Sequence, residues 1–169
     1  MSLLMEHMIG LTDTAYLGRV GEVELGASAL AGVYYLVIYM LGFGFSIGAQ
    51  VLIARRNGAQ EYKRIGPVFL QGTFFLLLLA ALLFTFSHLY SPFFLRKLID
   101  SDGVYQATME YVDWRVYGFF FSFVAVMFRA FYVGITKTRI LTINSVVMVL
   151  TNVMLNYVLI FGKFGLPAL

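Results

Sequence analysis

Apolar residues run in long blocks along this chain, and the few charges collect between them. Residues 25–54 carry no charge, and as a helix they extend about 45 Å at ~1.5 Å rise per residue. Residues 65–95 form a second block, interrupted only by His88 near its end. Residues 140–162 form a third, and between them 116–136 is apolar apart from Arg129. A bilayer core of roughly 30 Å accommodates helices of this kind. The pattern predicts four complete spans over 25–54, 65–95, 113–136 and 140–162, the first of them tilted or protruding. Arg129 lies close enough to one end of its span to snorkel. The opening differs. Residues 1–18 are apolar except for Glu6, His7 and Asp13, and reach only about 27 Å as a helix. They are expected to be the later part of a first span whose start is missing or replaced. A signal peptide is the poorer account, because two acids interrupt what should be an unbroken apolar core.

Connections at 19–24, 55–64 and 137–139 are short, which favours antiparallel neighbours. Residues 96–113 make the longest connection and hold most of the loop acids. Lys and Arg set the orientation. Arg55, Arg56, Lys63 and Arg64, with Lys137 and Arg139, outweigh Arg19, Arg96, Lys97, Arg115 and Lys163 on the other side. The loops 55–64 and 137–139 are therefore expected in the cytoplasm. Tyr90, Phe93, Phe94, Tyr111, Trp114 and Tyr117 suit an interfacial aromatic belt on the outer side.

Composition narrows the class further. Hydrophobic residues make up 60% of the 169 and charged residues 12%, against roughly 45–50% and ~25% in soluble domains. There is too little polar surface for a water-soluble globule and too much apolar surface for a disordered chain. The fold class is all-α, a polytopic transmembrane helix bundle. Cysteine is absent, so disulfides and thiolate metal sites are excluded. The net charge of +3 sits at membrane edges, and no basic stripe supports nucleic-acid binding. No Ser–His–acid set, metal cluster or phosphate loop is visible, so no enzyme, metal or cofactor is expected. Gly42, Gly44 and Gly48 lack the spacing and the preceding strand of a dinucleotide loop. They read as small residues that let helices approach. The stretch 71–83 is almost wholly Leu, Phe and Ala and is expected to face lipid.

Polar residues inside the blocks carry the candidate chemistry. An intramembrane carboxylate costs roughly 2.5–3.5 kcal/mol on insertion scales. Asp13 is such a group, and binding a proton or a cation would relieve the cost. Glu6, two turns earlier on the same face, is a second candidate. Helix capping or pairing with Arg19 is the plainer alternative for Asp13, and a headgroup-facing position for Glu6. In the last span Ser145, Asn152 and Asn156 fall on one helical face. That stripe is either interhelical glue or a cavity wall that coordinates a cation or substrate together with Asp13.

Several segments resemble a known family. Residues 10–20 read GLTDTAYLGRV, 25–32 LGASALAG, and 50–59 QVLIARRNGA. Residues 128–139 read FRAFYVGITKTR, and 152–169 NVMLNYVLIFGKFGLPAL. In order and spacing these are similar to most of the first lobe of a multidrug and toxic compound extrusion (MATE) transporter. The resemblance implies a partial N-terminal lobe over 1–169, with the sixth helix and the second lobe absent from the twelve-helix fold. It implies a cation-coupled antiporter of the bacterial inner membrane, exporting amphipathic, often cationic drugs against H+ or Na+. The family's acid on helix one matches Asp13 in the T-D-T context. Its helix-five pair matches Asn152 and Asn156, where other members carry Asp at the second position. Glu6 falls where the family more often has an amide. Implied partners are the bilayer, a small-molecule drug, and the missing helix six and second lobe. Two other functions fit the residues less well. A lipid-linked oligosaccharide flippase of the same superfamily would show more basic residues along the cavity. A non-transporting membrane assembly module would use the Asn stripe to bind a partner helix.

Overall fold

A computed structural model of the chain describes Thr14, Gly18 and residues 21–160, save the side chains of residues 156 and 158–160. The described residues form five helices and one 3-10 turn, with no strand among them. Helix α1 is Glu22–Gly58, the turn is Tyr62–Arg64, and α2 is Ile65–Leu98. Helices α3 (Asp102–Arg115), α4 (Gly118–Gly134) and α5 (Arg139–Ile160) follow. Two units result: Gly26–Lys137, and Met1–Leu25 with Thr138–Leu169. Glu22–Gly58 and Tyr62–Leu98, 37 residues each, are long and apolar enough to cross a membrane. Each is about 55 Å at ~1.5 Å per residue, far more than the hydrocarbon layer, so both overhang it. The overhanging ends carry the charges. Glu22 and Glu24 occupy the first turn of α1, and Arg55 and Arg56 its last, in the sense the helix dipole favours.

The connection expected over 96–113 is itself mostly helical. Its acids read as a loop, yet Thr108 and Val112 share one helical face and are both buried, while the charges point outward. Helix α3 then passes into α4 through a 53° bend at residues 116–117, and together the pair is long and apolar enough to form a third, broken span. Helix α5 is apolar over Arg139–Leu155.

In the Gly26–Lys137 unit, α1, α2 and α4 share a core. Helix α2 buries one stripe that includes Gly72, Leu76, Ala80 and Leu83. Leu70, Phe74, Leu78 and Leu82 on its other side are exposed. The stretch 71–83 is thus half packed against protein, since a long helix between two neighbours needs a contact face whatever its composition. Helix α4 inserts Phe119, Phe123 and Met127, all fully buried.

Glycine sets the approach of α1 to α4. A Cβ on Gly42 would lie 2.7 Å from the Phe123 ring, and one on Gly134 would lie 2.7 Å from Ile53 and 3.2 Å from the Gln50 carbonyl. Gly42 therefore meets Phe123, and Ile53 meets Gly134. The two helices run parallel and stay in register between those contacts. Gly44 and Gly48 have open space around them, so of the three glycines flagged by spacing only Gly42 makes a close approach.

Helices α1 and α4 end alike. Gln60 and Thr136 have φ of 59° and 62°. Each amide bonds back to a carbonyl near the helix end: Gln60 to Asn57 at 3.1 Å, and Thr136 to Val133 at 3.0 Å. The next amides, Glu61 and Lys137, close onto Arg56 and Tyr132 at 2.9 Å. This is the Schellman pattern, ordinarily built on glycine. A β-branched residue in that conformation is strained.

These contacts fix the expected outcome of four substitutions. Gly134→Val should lower the thermal midpoint in detergent, a loss of about 1–3 kcal/mol from overpacking. Gly72→Ala should be tolerated, because the clash at 2.6 Å is with the terminal methyl of the unbranched Met127 side chain, which can shift by rotation. Thr136→Gly should stabilise by roughly 1 kcal/mol through relief of the left-handed backbone, and Thr136→Pro should do the reverse. The same melting assay reads all four.

Candidate functional site

Helix α5 displays its polar stripe on a covered face. Leu141, Thr142, Ser145, Val149 and Asn152 are half-buried and share one side. Ile143, Val147, Leu150 and Met154 on the rest of the surface are exposed. Two of the three stripe residues expected from sequence, Ser145 and Asn152, therefore lie together on the same covered face. Asn156 is a helical residue of α5 one turn further on, but its side chain lies outside the described residues. Asp13 and Glu6 lie outside them too. Thr14 and Gly18, the described residues nearest Asp13, are helical and belong to the same unit as α5.

The stripe is chemically neutral. The Ser145 hydroxyl donates to the Leu141 carbonyl at 3.0 Å, a back-bond one turn along its own helix. That leaves its oxygen lone pairs to accept. Asn144 is exposed and reaches the Met148 sulfur at 3.4 Å, so it stands apart from the stripe. No group of three or more His, Cys, Asp or Glu residues gathers among the described residues. The face offers hydroxyl and amide oxygens to a hydrogen-bond donor or a cation, and a full negative charge would have to come from another segment.

A second polar seam, not anticipated from sequence, joins the helices of the Gly26–Lys137 unit. Tyr34 on α1 donates to Ser87 of α2 at 2.8 Å, and the Tyr35 and Ser122 hydroxyls are hydrogen-bonded across α1 and α4. Tyr35 stacks on Phe119 with centroids 5.0 Å apart. The Arg115 guanidinium lies 4.7 Å from the Tyr35 ring centroid, so the end of α3 is held onto α1. The available signal was two adjacent tyrosines deep in an apolar block, since a buried phenol needs a partner. Arg129 also departs from expectation. Its guanidinium lies 5.5 Å from the Phe43 ring centroid, which means it leans back toward the α4 N-terminus rather than out to the nearer end. Helical side chains tilt that way, and the Phe43 face rewards the tilt.

The described residues thus hold two long apolar helices in one unit and a neutral, half-buried polar stripe on α5 in the other. The MatE family model matches residues 1–158. The chain belongs to the MatE family. MatE relatives include the "Probable multidrug resistance protein NorM" of Mannheimia succiniciproducens, 26% identical over 98% of this chain and 35% of that protein. Proteins of the same name from Shewanella oneidensis and Synechocystis are each 29% identical. They cover 97% and 95% of this chain and 36% and 34% of themselves. The chain spans about a third of the length of the curated relatives it matches. No solved structure matches it. With its apolar helices and its family, this MatE chain is an integral membrane protein.

The two polar sets should respond differently to mutation. Tyr34→Phe removes a donor from the fully buried Ser87 and should cost about 1–3 kcal/mol of stability. Ser145→Ala deletes only a back-bond and should stay within ~0.5 kcal/mol. Thermal unfolding in a single detergent would rank them.

Proposed function

We propose that this MatE chain forms the ion-coupling lobe of a multidrug exporter, which exchanges H+ or Na+ for amphipathic, often cationic, small molecules. The observation that carries the reading is the family match over residues 1–158, joined to relatives named as multidrug resistance proteins. The covered polar face of α5 supports it, because a solute pathway through oil needs a wall of hydrogen-bonding groups.

In this reading the spans are 1–18, 25–54, 65–95, 113–136 and 140–162. The loops 55–64 and 137–139 face the cytoplasm of a bacterial cell. Asp13 holds the coupling ion, with Glu6 as a second acid. Asn152, Asn156 and Ser145 line the cavity and supply neutral oxygens to the ion or the drug. Neutralising Asp13 removes the cost of a charge in oil and lets the first helix repack, which expels the drug. Alternating access then needs a sixth helix and a second lobe moving against this one.

The test uses a complete transporter that contains this chain. Asp13→Asn should reduce ethidium efflux to background while membrane insertion and amount stay unchanged. Undiminished efflux removes Asp13 from the mechanism. Running the wild type with and without a Na+ gradient separates the ions: dependence on the gradient assigns Na+, and indifference to it assigns H+.

A further inference from the structure

Because α1 and α4 run parallel and in register, their C-terminal ends reach the same level of the Gly26–Lys137 unit. Arg55 and Arg56 close α1, Lys63 and Arg64 precede α2, and Lys137 follows the α4 cap. Glu61 is the one acid of that end, and it is bound by Arg64 at 3.2 Å. Arg56 turns onto the Arg64 carbonyl and so ties the loop together. Arg55, Lys63 and Lys137 are exposed, and none of them has an ion pair among the described residues. The opposite end of the unit is different. There Asp100, Asp102, Glu110 and Asp113 outnumber Arg96, Lys97 and Arg115, and Arg96 is paired with Asp102 at 2.6 Å.

We propose that the end of the unit carrying Arg55, Lys63 and Lys137 is a binding site for the headgroup of an acidic phospholipid. Three exposed cations without ion pairs among the described residues complement an anionic headgroup. Arg55 directly follows the charge-free run 25–54 of α1, and Leu52 and Tyr62, close to the cations in sequence, are exposed. An anionic headgroup at the cations and acyl chains along the apolar residues satisfy both surfaces with one molecule. A free anion satisfies only the first. Each basic residue near an anionic headgroup contributes roughly fivefold in affinity at physiological salt, so three acting together select phosphatidylglycerol over phosphatidylcholine by of order a hundredfold.

The experiment reconstitutes the purified chain in phosphatidylcholine vesicles containing phosphatidylglycerol and counts retained lipids by native mass spectrometry. Phosphatidylglycerol should be retained in preference. The triple variant Arg55→Gln, Lys63→Gln, Lys137→Gln should lower that retention by roughly a hundredfold. Arg96→Gln with Lys97→Gln, at the other end, should leave it within about twofold. Glu61→Gln frees Arg64 and should tighten binding by roughly fivefold. Equal retention of phosphatidylcholine, or an unaffected triple variant, overturns the proposal. Should the triple variant not fold, Glu61→Gln decides, and no tightening overturns it. Inorganic phosphate raising the thermal midpoint as much as phosphatidylglycerol does would make this a free-anion site and also overturn it. None of these readouts needs transport, so loss of the Asp13 mechanism would leave the result standing.

Discussion

The parallel contact between α1 and α4 is the constraint on which the rest of the described structure depends. Hydrocarbon removes the usual reason for helices to associate, since a leucine is as comfortable against lipid as against another leucine. Close packing has to supply the attraction instead, and Gly42 against Phe123 and Gly134 against Ile53 supply it at two levels. The topology permits this pairing. A short turn sends α2 back antiparallel to α1, and α4 returns in the original direction after α3. Once α1 and α4 are registered, Tyr35 meets Ser122, Arg115 meets Tyr35, and both C-terminal caps fall at one level.

Two kinds of hydroxyl contact recur within the helices. Ser46, Thr73, Thr85, Thr108 and Ser145 each bond a carbonyl three or four residues back on their own helix. Such groups satisfy themselves without fixing any neighbour. Tyr34 and Tyr35 reach other helices, and they do fix neighbours. An apolar block with scattered Ser and Thr therefore carries little information about packing, whereas two tyrosines side by side carry a good deal.

How far the sequence could be read follows from the same distinction. The long helices were legible because uncharged runs of this length have one stable solution in a bilayer. Helix α3 was not legible as a helix, because acids mark exposure rather than irregular backbone, and an exposed helix beside a membrane is as polar as a loop. Gly42 could not be told from Gly44 or Gly48, since what separates them is whether Phe123 or empty space lies opposite. The lean of Arg129 toward Phe43 depends on the direction of α4 relative to the bilayer end, which a residue's distance from that end does not reveal. On the candidate site, the shared face of Ser145 and Asn152 was legible from helical spacing alone, and the back-bond that occupies the Ser145 proton was not.

That back-bond bears on how ion coupling would be divided within the proposed exporter. A hydroxyl and amides offer partial negative charge only, so they can help to solvate a cation but cannot neutralise its charge. Nor can a neutral amide release a proton near physiological pH. In the proposed exporter the α5 stripe would therefore shape the cavity, and selection between loaded and empty states would fall to an acid. Since α5 from Arg139 to Ile160 contains no acid, that acid would come from another segment. In the proposed exporter that role is given to Asp13, which precedes the helical Thr14 in sequence.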